Sequence, residues 1–177
     1  MDKLRKNISF GEILIKNFIN LDKNEKEMVR RWRNNNSIRK WCYQDHIISS
    51  NEQKKFLKNL EEDNNNFYWL IKKKNEYIGV ISINRVDLEN GNAYLGIYSQ
   101  PNLKGAGKIL MGCIKKIAFD IAQLHTLKLE VIEDNKSALN FYERSGFKKE
   151  GKLKDFIFKN GKYKDVVIMG LVKKNDN

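Results

Sequence analysis

The sequence predicts an α/β protein, one mixed central sheet of about seven strands flanked by about four helices. Three observations predict it. Apolar and polar residues alternate in strand-length runs, most clearly where Leu127, Leu129 and Val131 interleave with Thr126, Lys128 and Glu130. Helical spacing separates such runs, with Met28, Val29 and Trp32 on one side of an early segment and Phe56, Leu57 and Leu60 on one side of a second. Asn90-Gly91 and Asn160-Gly161 stand between strand-like runs, and both turn positions favour positive φ, as a tight hairpin requires.

In chain order, Ile8 to Phe18 reads as a first strand with Gly11 marking a bend. Glu25 to Asn36 is a first helix, and Ser50-x-x-Gln53 reads as a capping box opening a second. Between them Arg39-Lys40-Trp41-Cys42-Tyr43-Gln44-Asp45-His46 is aromatic and polar without a period. Strands are expected at Phe67 to Lys72, Tyr77 to Val86 and Asn92 to Ser99. A glycine loop, Asn102 to Lys108, then leads into a helix over Lys108 to Gln123. The strand Thr126 to Ile132 is broken by Glu133-Asp134-Asn135-Lys136, which caps a helix from Lys136 to Ser145. Gly146 stops that helix in the left-handed conformation, and strands Phe147 to Phe158 and Lys162 to Val172 follow. Neither a repeat nor a linker interrupts the pattern, so residues 1–177 read as one domain.

A length of 177 residues suits one domain with a core of useful size. Hydrophobic residues at 41% and aromatics at 11% describe a globular chain, not a disordered one. No run reaches membrane-spanning length and no charged-then-apolar leader is visible, so a cytoplasmic protein without a membrane partner is expected. The net charge of +12 attracts anionic ligands such as nucleotides or coenzyme A. Its lysines are scattered (Lys72-Lys73-Lys74, Lys115-Lys116, Lys148-Lys149, Lys173-Lys174), a pattern of solvated faces, and nucleic acid is not the expected partner. Cys42 and Cys113 are too few and too far apart for a metal knot, so no metal is expected and each reads as a small buried thiol.

Lys104-Gly105-Ala106-Gly107-Lys108 opens a helix directly after a strand. Unpaired amides at the positive helix end can hold a phosphate, and glycines let the backbone come close to it. By itself the cluster equally suits an ordinary surface turn. Downstream stands Asn135-x-x-Ala138-x-x-Phe141-Tyr142-Glu143-x-x-Gly146-Phe147. The two together resemble the acetyl-coenzyme A core of GCN5-related N-acetyltransferases. Asn102 departs from that family, which usually has Arg or Gln three residues before the first glycine; the backbone cradle survives the change without that side-chain contact.

The resemblance implies an acyltransferase with a splayed sheet and acetyl-coenzyme A as donor. It places the pantetheine amides along Leu95, Gly96 and Ile97, and the pyrophosphate on Gly105, Ala106, Gly107 and Lys108. Lys104 or Arg144 would meet the other phosphates, Asn135 the pantetheine arm, with Ala138, Phe141 and Tyr142 on the same helix. Tyr142 is implied as the proton donor to the departing sulfur; read from the residues alone, a core tyrosine with a satisfied hydroxyl is the favoured reading. Glu130 is the candidate base, directly or through a water, or else the partner of Lys128 or Lys149. Ser82 either hydrogen-bonds the water or substrate or bonds its own backbone. His46 is a candidate substrate contact, whereas His125 at a helix-to-strand turn reads as a cap.

Candidate acceptor residues lie outside the core motifs: Arg33, Trp41, Tyr43, His46, Asn84, Arg85, Tyr94 and Tyr98. Aromatic faces suit a sugar or nucleobase and guanidinium suits phosphate, although Trp32, Trp41 and Tyr43 equally suit packing of helices on the sheet. Arg33-Asn34, Trp41-x-Tyr43, Tyr77-x-Gly79, Tyr94-Leu95-Gly96-Ile97-Tyr98, Leu129-Glu130-Val131 and Gly151-x-Leu153-Lys154 resemble one branch of the family in particular. That branch acetylates the C4 amine of UDP-4-amino-4,6-dideoxy-β-L-AltNAc in pseudaminic acid biosynthesis, for flagellin glycosylation. The resemblance implies a UDP-linked amino sugar as partner and a monomer or homodimer. The alternatives are an N-terminal acetyltransferase of the ribosomal-protein type and a non-enzymatic acetyl-coenzyme A sensor or basic nucleic-acid module. A peptide acceptor calls for acidic residues and a backbone-pairing groove; arginines and aromatics stand here instead.

Overall fold

A computed structural model describes residues 2–174. Its order is α1 (Asp2–Arg5), β1 (Ile8–Phe10), β2 (Ile13–Asn17), a 3₁₀ turn (Phe18–Asn20), α2 (Lys23–Asn34), α3 (Asn36–Arg39) and α4 (Ser50–Glu62). There follow β3 (Phe67–Lys73), β4 (Glu76–Asp87), β5 (Asn92–Ser99), α5 (Gly107–Lys115) with a π-helical extension (Lys116–Ile121), and β6 (Thr126–Ile132). α6 (Lys136–Arg144), β7 (Lys148–Lys159) and β8 (Lys162–Val172) complete it. The sheet runs β1-β2-β3-β4-β5-β6-β8-β7, and each of its neighbouring pairs is antiparallel except β5 with β6.

Several boundaries differ from the expected ones for physical reasons. Gly11 sits at φ +53°, which reverses the chain: the expected single strand is a hairpin of β1 on β2, and the sheet gains an eighth strand. The second helix is capped one residue earlier than Ser50 and Gln53 suggest. Ser49 accepts from the Glu52 amide while the Glu52 carboxylate accepts from the Ser49 amide. The first helix begins at Lys23 behind a capping box of Asp22 and Glu25, and stops at Asn34 because Asn35 turns outward to cap the short α3. The helix after the glycine loop widens past Lys115 into π spacing, closed by the Ala122 amide on the Ile117 carbonyl, which leaves the consecutive Ile117 and Ala118 both buried.

Both faces of the sheet are covered. α5 lays Leu110, Ile114 and Ile117 on one face, against Trp69, Ile81, Ile83 and Leu127. The opposite face receives Val29 of α2 and Leu57 and Leu60 of α4, against Leu70 and Val80. β3 therefore carries Trp69, Leu70 and Ile71 consecutively, all at 0% exposure, because a strand covered on both sides has no face left for polar residues.

What positions the site is the pairing of β5 and β6. They are bonded only where Asn92, Ala93 and Tyr94 stand opposite Thr126, Leu127 and Lys128. Beyond that point β5 stays with β4 as far as Ser99 and β6 stays with β8 as far as Ile132, so the two strands part.

Gly79 on β4 shows how closely the layers meet there. A Cβ on it would stand 2.4 Å from the Tyr98 carbonyl and 2.9 Å from Leu110 of α5. Gly79→Ala is expected to destabilise the fold by about 1–3 kcal/mol in urea titration, as overpacking of a filled core does. Gly112→Ala, on α5 with nothing within 4 Å of the added carbon, is expected to raise stability by about 0.5–1 kcal/mol.

Candidate active site

The parted strands enclose a cleft of about 620 Å³. Its walls are the second half of β5, Glu130 to Ile132 of β6, the first turns of α5 and α6, and Ile38, Trp41 and Cys42 from beyond α2. Leu95, Gly96 and Ile97 face β6 across the gap without pairing to it. A side chain at Gly96 would put its Cβ 2.7 Å from the Ser82 Oγ, so the glycine leaves room for that hydroxyl at the cleft wall. Ser82 is buried, and its Oγ accepts from Asn84 Nδ2 at 3.0 Å instead of turning to its own backbone.

Pro101, the only proline of the chain, follows the end of β5. Asn102 and Gly105 then take φ of +70° and +79° and turn the chain into α5. Asparagine tolerates the left-handed region better than arginine or glutamine, which gives Asn102 a backbone reason to be there. Ala106 supplies no side-chain cap, so the first amides of α5 keep their donors. A Cβ at Gly107 would lie 2.8 Å from the Phe141 ring, and its absence lets α6 close against the start of α5. Lys104 and Lys108 are exposed on this loop. Arg144 turns back on its own helix, donating from Nε to the Asn140 carbonyl at 3.2 Å, and does not line the cleft.

Asn135 caps α6, accepting from the Ala138 amide at 3.2 Å, and among the described residues its side-chain NH₂ has no partner at the cleft wall beside Ala138. Tyr142 follows on that helix, between the rings of Phe141 and Phe147 at 5.3 and 5.7 Å. Among the described residues its hydroxyl has no hydrogen-bond partner, and the residue lines the cleft. Burial pushes the phenol up to about 12, which keeps it a proton donor at ordinary pH.

Glu130 faces the same cleft from β6 and is engaged at both oxygens. Arg85 Nη1 donates to Oε1 at 2.8 Å and the Tyr43 hydroxyl to Oε2 at 2.7 Å. The expected partners are engaged elsewhere: Lys128 meets Glu150 and Lys149 meets Glu143. Arg85 reaches Glu130 from β4 because it occupies a bulge at φ +51°, and its guanidinium lies 4.5 Å above the Tyr94 ring. The Glu130 bond holds the Arg85 guanidinium above its ordinary value, while burial and then that same carboxylate push the Tyr43 phenol up.

Of the other acceptor candidates, Trp41 and Tyr98 line the cleft. Arg33 and His46 stand on a neighbouring hollow of about 350 Å³ that shares Tyr68 and Tyr98 with it. Arg33 Nη2 donates to the Gln44 carbonyl at 2.9 Å, and its Nη1 is buried with no partner among the described residues. His46 pairs with Glu52 at 2.9 Å. His125 is structural: its amide donates to the Gly91 carbonyl and its carbonyl accepts from the Lys173 amide, at the opposite end of β6 from Glu130. The cleft also takes in Ile38, Cys42, Gln100 and Ser137, which belong to no recognisable pattern in the sequence.

Residues 20–168 match the family model of the acetyltransferase (GNAT) domain. The chain belongs to the GNAT acetyltransferases. This GNAT chain is 36% identical over 146 residues to acetyltransferase PseH of Campylobacter jejuni subsp. jejuni serotype O:2, across 82% of its own length and 91% of that protein. The spermidine N(1)-acetyltransferase of Vibrio cholerae serotype O1 is 25% identical over 149 residues, across 82% and 86% of the two chains. The crystal structure of Campylobacter jejuni PseH in complex with acetyl coenzyme A superposes with a TM-score of 0.72 at 30% identity, covering 92% of this chain and 99% of that one. A spermidine N-acetyltransferase from Vibrio cholerae shares the fold at a TM-score of 0.83 and 23% identity, covering 91% and 95%. The expected splayed α/β fold and N-acetyltransferase class are met.

Tyr142→Phe is expected to lower kcat by about 10²–10⁴ while acetyl-coenzyme A affinity, read by titration calorimetry, stays near that of the wild type. Because burial raises the phenol, the protonated form persists below its folded pKa of about 12. The wild-type kcat is therefore expected to show no basic limb from this group between about pH 7 and about pH 10, where an unperturbed tyrosine begins to ionise.

Proposed function

We propose that this GNAT enzyme transfers the acetyl group of acetyl-coenzyme A to the C4 amine of UDP-4-amino-4,6-dideoxy-β-L-AltNAc, a step of pseudaminic acid biosynthesis that serves flagellin glycosylation. One observation carries the choice of acceptor. In a chain 36% identical to PseH, Arg85 and Tyr43 bond Glu130, Tyr94 lies under the Arg85 guanidinium, and Trp41 lines the cleft that Glu130 also lines. Guanidinium suits a diphosphate and aromatic rings suit the apolar faces of a sugar or nucleobase. A nucleotide-sugar acceptor is met in the cytoplasm, and no helix among the described residues is long and apolar enough to cross a membrane.

In this reading each wall of the cleft has one task. The free edge of β5 at Leu95, Gly96 and Ile97 pairs with the amides of the pantetheine arm, as a sheet edge pairs with a peptide. The amides of Gly105, Ala106, Gly107 and Lys108 hold the pyrophosphate at the start of α5, with Lys104 beside them. Asn135 turns its free amide group to the arm, and Ala138 and Phe141 pack beside it. Glu130, directly or through a water held with Ser82, takes the proton that the attacking amine must lose. Arg85 and Tyr43 occupy one lone pair on each Glu130 oxygen and leave the others for water or ammonium. As the new C–N bond forms and the C–S bond breaks, Tyr142 delivers its proton to the departing sulfur. Arg33 and His46, on the adjoining hollow, lie where the nucleotide end of the acceptor would extend.

The test is thiol release and product mass, with the UDP-4-amino sugar, spermidine and an N-terminal peptide offered in parallel. A gain of one acetyl group on the UDP-sugar is expected; turnover of spermidine or the peptide with none of the sugar would overturn the reading. Glu130→Gln is expected to lower kcat with the sugar by about 10²–10⁴ without loss of donor binding.

A further inference from the structure

The segment between α3 and α4 carries Trp41 and Tyr43 yet belongs to no helix or strand. Its course is set largely by side chains that donate to its backbone carbonyls. Arg33 reaches Gln44 at 2.9 Å, Arg30 reaches Ile48 at 2.7 Å, and Arg39 meets Asp45. These anchors come from α2 and α3 and hold the segment from one side. The other anchor comes from a remote part of the chain. Lys159, the last residue of β7, donates from Nζ to the Cys42 carbonyl at 2.5 Å and lies 3.2 Å from Asp45 Oδ2. Its side chain is only 6% exposed. An ammonium is kept out of water at this depth only where it is paired, and here both of its partners lie in the aromatic segment.

Phe156 makes a second contact from the same hairpin. Its ring stands edge-on to Tyr43, with centroids 6.0 Å apart and planes at 68°. Nothing in the alternation of β7 aims these two residues there; an irregularity does. Between Leu153 and Ile157 the pairing with β8 slips, with Asp155 at φ +49° and its amide bonded to Asp165 Oδ1 at 2.9 Å. A bulge of this kind re-aims the strand beyond it. Asp165 is itself fixed by Lys152 at 2.7 Å, which also meets Glu133 at the end of β6. The end of the hairpin is thereby tied to the strand that carries Glu130.

We propose that the end of the β7–β8 hairpin is the positioning wall of the acceptor site, with Lys159 and Phe156 holding Cys42 and Tyr43 in the place from which the Tyr43 hydroxyl reaches Glu130. The inference rests on the reading of Glu130 as the group that meets the acceptor amine. Both residues are positioning residues: they act through Tyr43 and have no part in the donor half of the cleft. They bear on which amine is accepted, because the tyrosine they support stands on the acceptor side of Glu130.

The test uses the full chain with Lys159→Met, Lys159→Arg and Phe156→Ala, reading KM for the UDP-4-amino sugar, kcat, the Kd of acetyl-coenzyme A and amide exchange over residues 40–48. Lys159→Met and Phe156→Ala are expected to raise the acceptor KM on the order of tenfold, as small misplacements of a positioned group do. Amide exchange over the segment is expected to quicken, the donor Kd to hold, and Lys159→Arg to recover most of the wild-type KM. Unchanged KM and exchange in both Lys159→Met and Phe156→Ala would overturn the inference, as would a donor Kd that rises in step with KM. Should the wild type acetylate spermidine and not the sugar, the substrate assignment fails by itself; KM for spermidine and the exchange rates then decide the hairpin's role on the same terms.

Discussion

Two parallel strands that begin together and then separate create the site, and the rest of the fold arranges itself around that separation. β5 and β6 share a ladder over three residues on each strand, after which each keeps only its outer neighbour. Backbone donors and acceptors on their inner edges are then left facing a gap inside the sheet. Buried amides and carbonyls require partners, so such a gap must be lined by something with matching groups. The start of α5 brings amides without a side-chain cap to one end of it, and α6 brings the Asn135 cap and the Tyr142 phenol to its side. Glycines at 79, 96 and 107 stand where β4, β5, α5 and α6 come closest, and each would collide with a neighbour if it carried a side chain.

The two titratable groups proposed for the chemistry differ in their surroundings. Tyr142 is packed among rings and has no polar partner among the described residues, so burial alone favours its neutral form. Glu130 meets a guanidinium at one oxygen and a phenol at the other. One group lies among aromatic rings and the other among hydrogen-bond donors, so the two walls of the cleft differ in kind. The Arg85 contact depends on a bulge in β4 and the Tyr43 contact on a segment without regular structure. The surroundings of Glu130 are thus assembled from irregular backbone, whereas the opposite wall of the cleft is built from strand edge and helix starts.

The glycine loop and the Asn135 to Phe147 pattern are local, because phosphate cradles, caps and helix stops are made by residues close in sequence. They carry the resemblance to the family, which the family match over residues 20–168 bears out. The extent of β8 was also legible, since the Asn160-Gly161 turn fixes where that strand begins. Gly11 was read as a bend and is a reversal; the two differ by what the following strand pairs with, which is not a local property. Glu130 could be placed on the polar face of its strand, but not beside Arg85. Local spacing favours Lys128, and the preference is undone by Glu150 arriving from β7.

The α/β pattern, the acetyltransferase motifs and the candidate site residues are local in the sequence. Each depends on periodicity or on contacts within a few positions along the chain. The partners of Glu130 and the meeting of Lys159 with Cys42 and Asp45 come from the three-dimensional fold alone. Those depend on bulges and on strands brought together across the sheet, where the distance between two side chains owes nothing to the number of residues between them.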